Sequence, residues 1–421
     1  MRSLMIMKIR VMTQAARRLL IRLAIALSVG LGVMHEVSAQ SLTWLGSLGG
    51  GCYWASQAFD VSADGGVVVG GACTINGEWH AFRWTVSGGM QDLGTLGGNY
   101  SEAHGVSANG GVVVGVAWTT NETHAFRWTT SGGMQDLGTL GGSYSEAFDV
   151  SADGSVVVGE STEDRAGLET RAFLWTAVQM RSLGTLGGHF SAAFAVSADG
   201  SVVVGSSKNS TNRLRPFRWT ASGGMQDLGS LPGGENGEAS GVSADGNVVV
   251  GTGEIPGYPT RPFRWTVSDG MQALGLPPGY VEAAAYAVSA DGNVAVGILS
   301  SQYACRWKVP ANAEDLNDVY RYLLPHGSIL ISAYAISPDG RYIVGWGRNA
   351  VRGRYEAFLL DTWRTGDTNG DGCIDDSDLL AVLFAFGTPG TGLTRHEDIN
   401  KDGIVDDADL LQVLFNFGSG C

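Results

Sequence analysis

Residues 80–98 read HAFRWTVSGGMQDLGTLGG, and residues 124–142 read HAFRWTTSGGMQDLGTLGG. Val86 becoming Thr130 is the only change between the two nineteen-residue stretches. A catalytic site is rarely duplicated so literally, whereas a structural unit often is. Repeats at a fixed period decide architecture, so the rest of the chain is read outward from this pair.

Three markers recur seven times each at a spacing of about 45 residues. VSADG or a variant starts at Val61, Val106, Val150, Val196, Val242, Val288 and Ile336. AFRW or a variant centres on Phe82, Phe126, Phe173, Phe217, Phe263, Cys305 and Phe358. The LG of MQDLGTL falls at Leu45, Leu93, Leu137, Leu183, Leu228, Leu274 and, degenerate, Leu316. Each unit reads as four short strands. AFDV alternates and ends in a Ser-Ala-Asp-Gly turn; SVVVG is β-branched; AFRWT alternates; GMQDLGTL follows a Ser-Gly-Gly turn. Four antiparallel strands at this period are the signature of a propeller blade, and seven copies predict an all-β, seven-bladed β-propeller. An open β-solenoid is the competing architecture, although its coils are usually shorter.

The order of markers predicts how the ring closes. The chain enters on SLTWLGSL, a fourth strand without its blade, and leaves the repeats on EAFLLD, a third strand without a fourth. Residues 42–47 are therefore expected to pair with 356–361, which would remove two free sheet edges. Arg and Asp also travel together between the outer strands: Arg83 with Asp92, Arg127 with Asp136, Arg218 with Asp227, Arg306 with Asp315. Leu174 accompanies Ser182, Leu359 would face Trp44, and Arg264 with Ala273 is the exception. The expectation is a set of cross-strand pairs that fixes register.

HAFRWT, GGMQDLGTLGG and VSADGxVVVG resemble the HAF-type extracellular repeat family over about residues 41–361. That family is defined by its repeat, so the resemblance implies architecture and nearly nothing about chemistry.

Residues 1–39 carry six basic residues, then the apolar run LAIALSVGLGVM, then Val37 and Ala39 at the small positions of a signal-peptidase site. They are expected to be a cleaved signal peptide. The apolar run is too short to span a bilayer. The protein is accordingly expected to be secreted, with no stable membrane span. The net charge of −14 argues against a nucleic-acid partner. Residues 40–362 form the expected propeller, and 363–421 a separate module.

That module carries the one motif with clear chemistry. DTNGDGCIDDSD (367–378) and DINKDGIVDDAD (398–409) both match a twelve-residue calcium loop. Ca²⁺ takes six to eight oxygens. Asp367, Asn369, Asp371, Asp375 and Asp378, with the Cys373 carbonyl, would supply them in the first loop; Asp398, Asn400, Asp402, Asp406 and Asp409, with the Ile404 carbonyl, would do so in the second. The cofactor expected is two Ca²⁺ ions. Apolar stretches LLAVLFAFG and LLQVLFNFG follow the loops and read as helices that pack together. The arrangement resembles a type I dockerin over about residues 364–421, which implies docking onto a cohesin-like extracellular partner. Asp376, Ser377, Asp407 and Ala408 stand at the partner-reading positions, where cellulosomal members commonly carry Ser-Thr; the departure puts a cellulosomal cohesin in doubt.

Cys373 and Cys421 can staple the module's C-terminus to its first loop. Cys52 and Cys73 either pair or remain two buried thiols, and Cys305 is left free. His80 and His124 are read as tolerated surface variants rather than a metal pair. No Ser-His-Asp order, zinc spacing or phosphate loop stands out. A candidate ligand face comes from an aromatic and a carboxylate preceding several first strands: Tyr100/Glu102, Tyr144/Glu146 and Tyr280/Glu282, with Trp54/Gln57, Phe190 and Glu238 as variants. Such groups can stack on and hydrogen-bond a sugar, or simply cap the strand entry. The functional expectation is a secreted, non-catalytic binding or display protein docked through its C-terminal module. The alternative is a propeller enzyme or accessory protein acting on polysaccharide.

Overall fold

The computed structural model describes residues 40–164, 166–167, 169–370, 373–389, 396–399 and 404–418. Residues 1–39, where the signal peptide is expected, lie outside them. The described chain falls into two compact units, one spanning Gln40–Thr362 and the other beginning at Trp363. No described helix is long and apolar enough to cross a membrane.

The larger unit is built of four-stranded antiparallel arrays. In the first, Ser56–Val61, Val67–Cys73, Trp79–Thr85 and Gly89–Asp92 pair in sequence order. The next five arrays repeat this plan over 101–136, 145–182, 187–227, 237–273 and 283–315. The third and fourth are joined through one parallel bridge, Thr170 with Phe190. The last array takes three strands from 329–361 and its fourth from Ser41–Trp44, which pairs antiparallel with Arg354–Asp361. The second strand of each array packs against the first strand of the next, and Tyr342–Asn349 of the last packs against Ser56–Val61 of the first.

The repeated VVVG and AF fit together physically. Gly70 sits opposite Phe82, and a Cβ on Gly70 would lie 1.9 Å from the Gln57 carbonyl. The bare glycine admits the first strand closely, while Phe82, Phe126, Phe173, Phe217, Phe263 and Phe358 are fully buried. Burial of one such ring stabilises by roughly 1.5–3 kcal/mol. Cys305 takes the same slot as a buried free thiol, and burial pushes its pKa up.

Three hydrogen-bond patterns join neighbouring arrays. First, the hydroxyl of the opening serine clasps the preceding array. Ser101 Oγ accepts from Ala81 N (2.9 Å) and donates to the Gly94 carbonyl. Ser145 and Ser191 do the same with Ala125 and Ala172. Ser56 reaches Ala357 N at 2.9 Å. Where the partner is Pro216 or Pro262, which has no N–H to offer, the serine is replaced by Gly237 or Ala283. Second, the turns form a relay of backbone bonds. Ala63 N donates to Ala108 O (3.0 Å), and the series continues through Ala152, Ala198, Ala244 and Ala290 to the Pro338 carbonyl. Proline cannot donate onward. Third, each turn glycine has positive φ and lies over the residue opening the preceding second strand, as Gly110 (φ 68°) does over Val67.

The expected Arg–Asp register is corrected. Thr85 pairs with Gly89, so the loop between them holds three residues and shifts the pairing by one. Arg83 faces Gln91, and Asp92 faces Phe82. Arg83 Nε instead donates to the Gly110 carbonyl of the next array (3.1 Å), as Arg218 does to Gly246 (3.0 Å). Arg306 pairs with Glu314 at 2.6 Å. Asp92, Asp136 and Asp227 meet His80, His124 and Arg215 at 2.9, 2.8 and 3.1 Å. The two histidines therefore occupy the position that Arg215 holds, facing the aspartate of the fourth strand, rather than an arbitrary surface position. At the last array, Trp44 faces Phe358 and Thr43 faces Leu359. Cys52 and Cys73 form a disulfide with Cα atoms 6.3 Å apart.

In the C-terminal unit, helices Asp376–Ala385 and Asp407–Asn416 pack around Ile374, Val382, Val405 and Val413.

Candidate functional site

The first strands bring a carboxylate–aromatic cluster together on the first three arrays. Glu102 and His104 are two residues apart on one strand, so they point to one face. Glu102 Oε1 accepts from Trp79 Nε1 (2.8 Å), and its Oε2 accepts from the Tyr100 hydroxyl (3.2 Å). His104 Nε2 lies 2.8 Å from Glu146 Oε1, and the Tyr144 hydroxyl donates to the other Glu146 oxygen. Glu160 stands opposite Glu146 in the strand pair. Tyr100/Glu102 and Tyr144/Glu146 thus meet in one place. Tyr280 and Glu282 do not join them. The Tyr280 hydroxyl donates to Asp315 (3.2 Å), and its ring meets Tyr303.

The electrostatics follow from burial. Burial opposes ionisation of Glu146, but the His104 contact and the Tyr144 hydrogen bond outweigh it and hold the carboxyl below its usual range. Burial, with the Glu146 charge added, raises Glu160 to about 7. Burial would lower His104, yet Glu146 and Glu102 raise it. Tyr144 and Tyr100 are pushed up by burial and by their glutamates.

Below this cluster runs a feature that the repeats concealed. At the fourth position of the first strand stand Phe59, His104, Phe148, Phe194, Tyr286 and Tyr334, with Ser240 in the fifth array. Ring contacts of 5.2–5.7 Å run from Tyr286 through Tyr334, Phe59, His104 and Phe148 to Phe194. One residue further on, Asp60 Oδ2 accepts from Val106 N (2.7 Å), and Asp149 Oδ2 accepts from Val196 N (2.8 Å), each on the next array. Burial lifts Asp60 to about 8, with Asp149 adding repulsion, and lifts Asp149 to about 7. Comparing the fourth and fifth positions across repeats was the available signal for these residues, since they vary while their neighbours do not. Trp79 and Glu160 left no such mark. A separate cavity of about 110 Å³ lies by Arg264, Gln272 and Pro310, well under the roughly 300 Å³ of a small-molecule site.

The second candidate site is the pair of acidic loops. Asp367, Asp398, Asp378 and Asp409 are buried, the last two completely. Asp378 Oδ1 accepts from Thr368 N (2.7 Å), and its Oδ2 accepts from Asp375 N (2.9 Å); Asp409 does the same with Ile399 N and Asp406 N. Asp375 and Asp406 cap the two helices, accepting from Ser377 N and Ala408 N. Position twelve of each loop therefore also closes a capping box. The side-chain donors at these loop positions are oxygens, the ligand type a hard divalent cation takes, but among the described residues no three carboxylate, histidine or cysteine side chains gather into a metal site. Asp371, Asn400, Asp402 and Cys421 lie outside the described residues. Asp376, Ser377, Asp407 and Ala408 are exposed at the helix starts.

No family model matches this chain, and no curated protein matches it. Several solved structures are similar. TolB from Acinetobacter baumannii shares 16% identity over 51% of this chain and 52% of its own, with a TM-score of 0.38; the chain thus spans about half of that TolB. Oligogalacturonate lyase from Vibrio parahaemolyticus shares 9% identity over 77% of this chain and 91% of its own, with a TM-score of 0.48. The β-propeller domain of the Trilobed protease from Pyrococcus furiosus shares 10% identity over 73% of this chain and 94% of its own, with a TM-score of 0.49.

Proposed function

We propose that the chain is a secreted, non-catalytic binding or display protein: a seven-bladed propeller of HAF-type repeats closed by its N-terminal strand, held in an extracellular assembly by a dockerin-like module. The packing of the last array on the first and the pairing of Ser41–Trp44 with Arg354–Asp361 support closure. In a closed ring, the aromatic row lines the axis and the Glu102/Glu146 cluster stands at one mouth, where a glycan would meet it.

One observation carries the non-catalytic reading. Both Glu102 oxygens and both Glu146 oxygens are already engaged by Trp79, Tyr100, His104 and Tyr144. Groups locked in this way suit a fixed recognition surface. Purified protein screened on a glycan array and a polysaccharide panel is expected to bind without turnover; turnover overturns the reading.

The enzyme alternative also has a specific observation in its favour. Glu146 and Glu160 face each other with their carboxyls pushed in opposite directions, the pattern of an acid–base pair. If the panel shows turnover, Glu146→Gln and Glu160→Gln are expected to abolish it.

The module's role rests on its donor chemistry. Asp367, Asn369, Asp375, Asp378 and the Cys373 carbonyl would hold one Ca²⁺, and Asp398, Asp406, Asp409 and the Ile404 carbonyl a second. Bound calcium would neutralise the acidic loops and fix the helices. Asp376, Ser377, Asp407 and Ala408, beside exposed Leu380, Leu383 and Phe384, would then face a cohesin-like or other extracellular partner.

A further inference from the structure

Where the last array meets the first, the surface changes character. Tyr53 and Trp54 are 57% and 47% exposed. Trp54 stacks on Tyr355 with ring centres 4.4 Å apart and planes 15° apart, and it leans on Trp346 at 5.2 Å. Tyr53 stands edge-on to Tyr355 at 5.0 Å. The backbone fixes the group: Tyr355 N donates to Tyr53 O and Ala55 N to Tyr355 O, each at 2.9 Å. Trp346 Nε1 donates to the Tyr334 hydroxyl (3.3 Å), tying this platform to the aromatic row.

Beside the platform stands a cation. Arg348 lies directly opposite Tyr355 in the strand pair and two residues from Trp346, so all three share one face. Its guanidinium is exposed and makes no ion pair among the described residues. The stretch 348–354 holds three arginines and no acidic residue, in a chain of net charge −14. Arg352 and Arg354 are paired with Glu356, which is completely buried, so Arg348 is the arginine of this stretch left without a carboxylate partner among the described residues. Soluble proteins seldom keep rings of this size exposed together without a partner.

We infer that this platform binds a hexuronate unit of an acidic polysaccharide. The apolar face of the pyranose stacks on Trp54, the Tyr53 ring, whose plane stands 87° to it, meets the sugar's edge, and the sugar carboxylate takes a paired hydrogen bond from Arg348. A nucleic acid carries its charge on the phosphates, apart from the stacked base, whereas a uronate carries its carboxylate on the stacked pyranose itself, beside which a single cation suffices. The inference deepens the proposed glycan-binding role and rests on it. It places the ligand at this junction and specifies its charge.

The test is calorimetric titration of the full-length protein with tri- to hexameric galacturonate or alginate oligomers, a neutral galactan oligomer of equal length, and poly-glutamate. Saturable binding of the hexuronates is expected, weakening as salt rises. Arg348→Ala is expected to cost about tenfold in affinity, the size of a charge-assisted pair. Trp54→Ala is expected to cost at least as much, while Trp54→Phe, which keeps a ring, retains part of it. Arg348→Ala is a surface change and should leave the melting temperature unmoved. Equal binding of the neutral oligomer, or equal or tighter binding of poly-glutamate, overturns the inference. So does unchanged affinity in Arg348→Ala, or no binding at all. A neutral glycan found on the array while hexuronates fail leaves the binding role standing and removes only this inference; hydrolysis or cleavage of any oligomer removes the non-catalytic reading instead.

Discussion

Ser56 Oγ accepts the amide hydrogen of Ala357, a bond of 2.9 Å between residues 301 positions apart. Removing the hydroxyl leaves a buried N–H without a partner, which costs about 1–3 kcal/mol. Ser56→Ala is therefore expected to lower the melting temperature by a few degrees, as Ser101→Ala and Ser145→Ala should. Calorimetry on the three variants checks this. The converse is sharper. Gly237→Ser alone should not stabilise, because Pro216 has no hydrogen to give; paired with Pro216→Ala it should add about 1 kcal/mol.

Stability should fall as pH rises from about 5 to about 9. Asp60 and Asp149 titrate near 8 and 7 in the fold, above the unfolded value near 3.9, so the folded state holds more protons through that window. Glu160, at about 7, acts in the same direction. His104 also does, because its raised pKa lends stability that is lost as it deprotonates. Glu146 adds no slope in this window, since the stability from its lowered pKa is fully present above the unfolded value of about 4.3 and is lost only as pH falls below it. Thermal melts across this range should show the decline. The Asp60→Asn/Asp149→Asn variant should flatten it; a slope equal to the parent's would show that these carboxyls are ionised inside the fold.

Chelation should act on the C-terminal unit alone. With EDTA, the transition belonging to residues 363–421 is expected to lose cooperativity or shift down, while that of Gln40–Thr362 stays. Calcium at a thousand times its dissociation constant would contribute about 4 kcal/mol. Asp367→Ala and Asp398→Ala should each remove part of the shift. A scan unchanged by EDTA would remove calcium from the account.

Reduction of Cys52–Cys73 should destabilise the larger unit. The bond closes a loop of about twenty residues, for which the loop-entropy argument gives roughly 3 kcal/mol. The Cys52→Ser/Cys73→Ser variant is expected to melt several degrees lower and to be indifferent to reductant.

The four-stranded plan was legible because period-two alternation and turn residues recur in every copy, so errors in one repeat are outvoted by the others. Register was harder. It depends on whether the Ser-Gly-Gly loop contributes two residues or three, and one residue moved Arg83 from Asp92 to Gln91. The candidate site was half legible: Tyr100, Glu102, Tyr144 and Glu146 stand out as variations on a fixed frame. Trp79 enters from a third strand and Glu160 from a second, where no pattern along the chain announces that they face the same space. His104 was hidden by replacing a phenylalanine of the aromatic row.

The relay of turn bonds gives the molecule a direction. Every junction from Ala63 to Pro338 carries one, and the junction between Pro338 and Ala63 does not. A circle of near-identical parts would share an applied load evenly and yield anywhere. In the proposed ring, the junction without a turn bond is held instead by a disulfide, a borrowed strand and a stack of indole and phenol rings. Pulling on the two ends of Gln40–Thr362 should register first as the peeling of Ser41–Trp44, and only then as the loss of arrays one at a time.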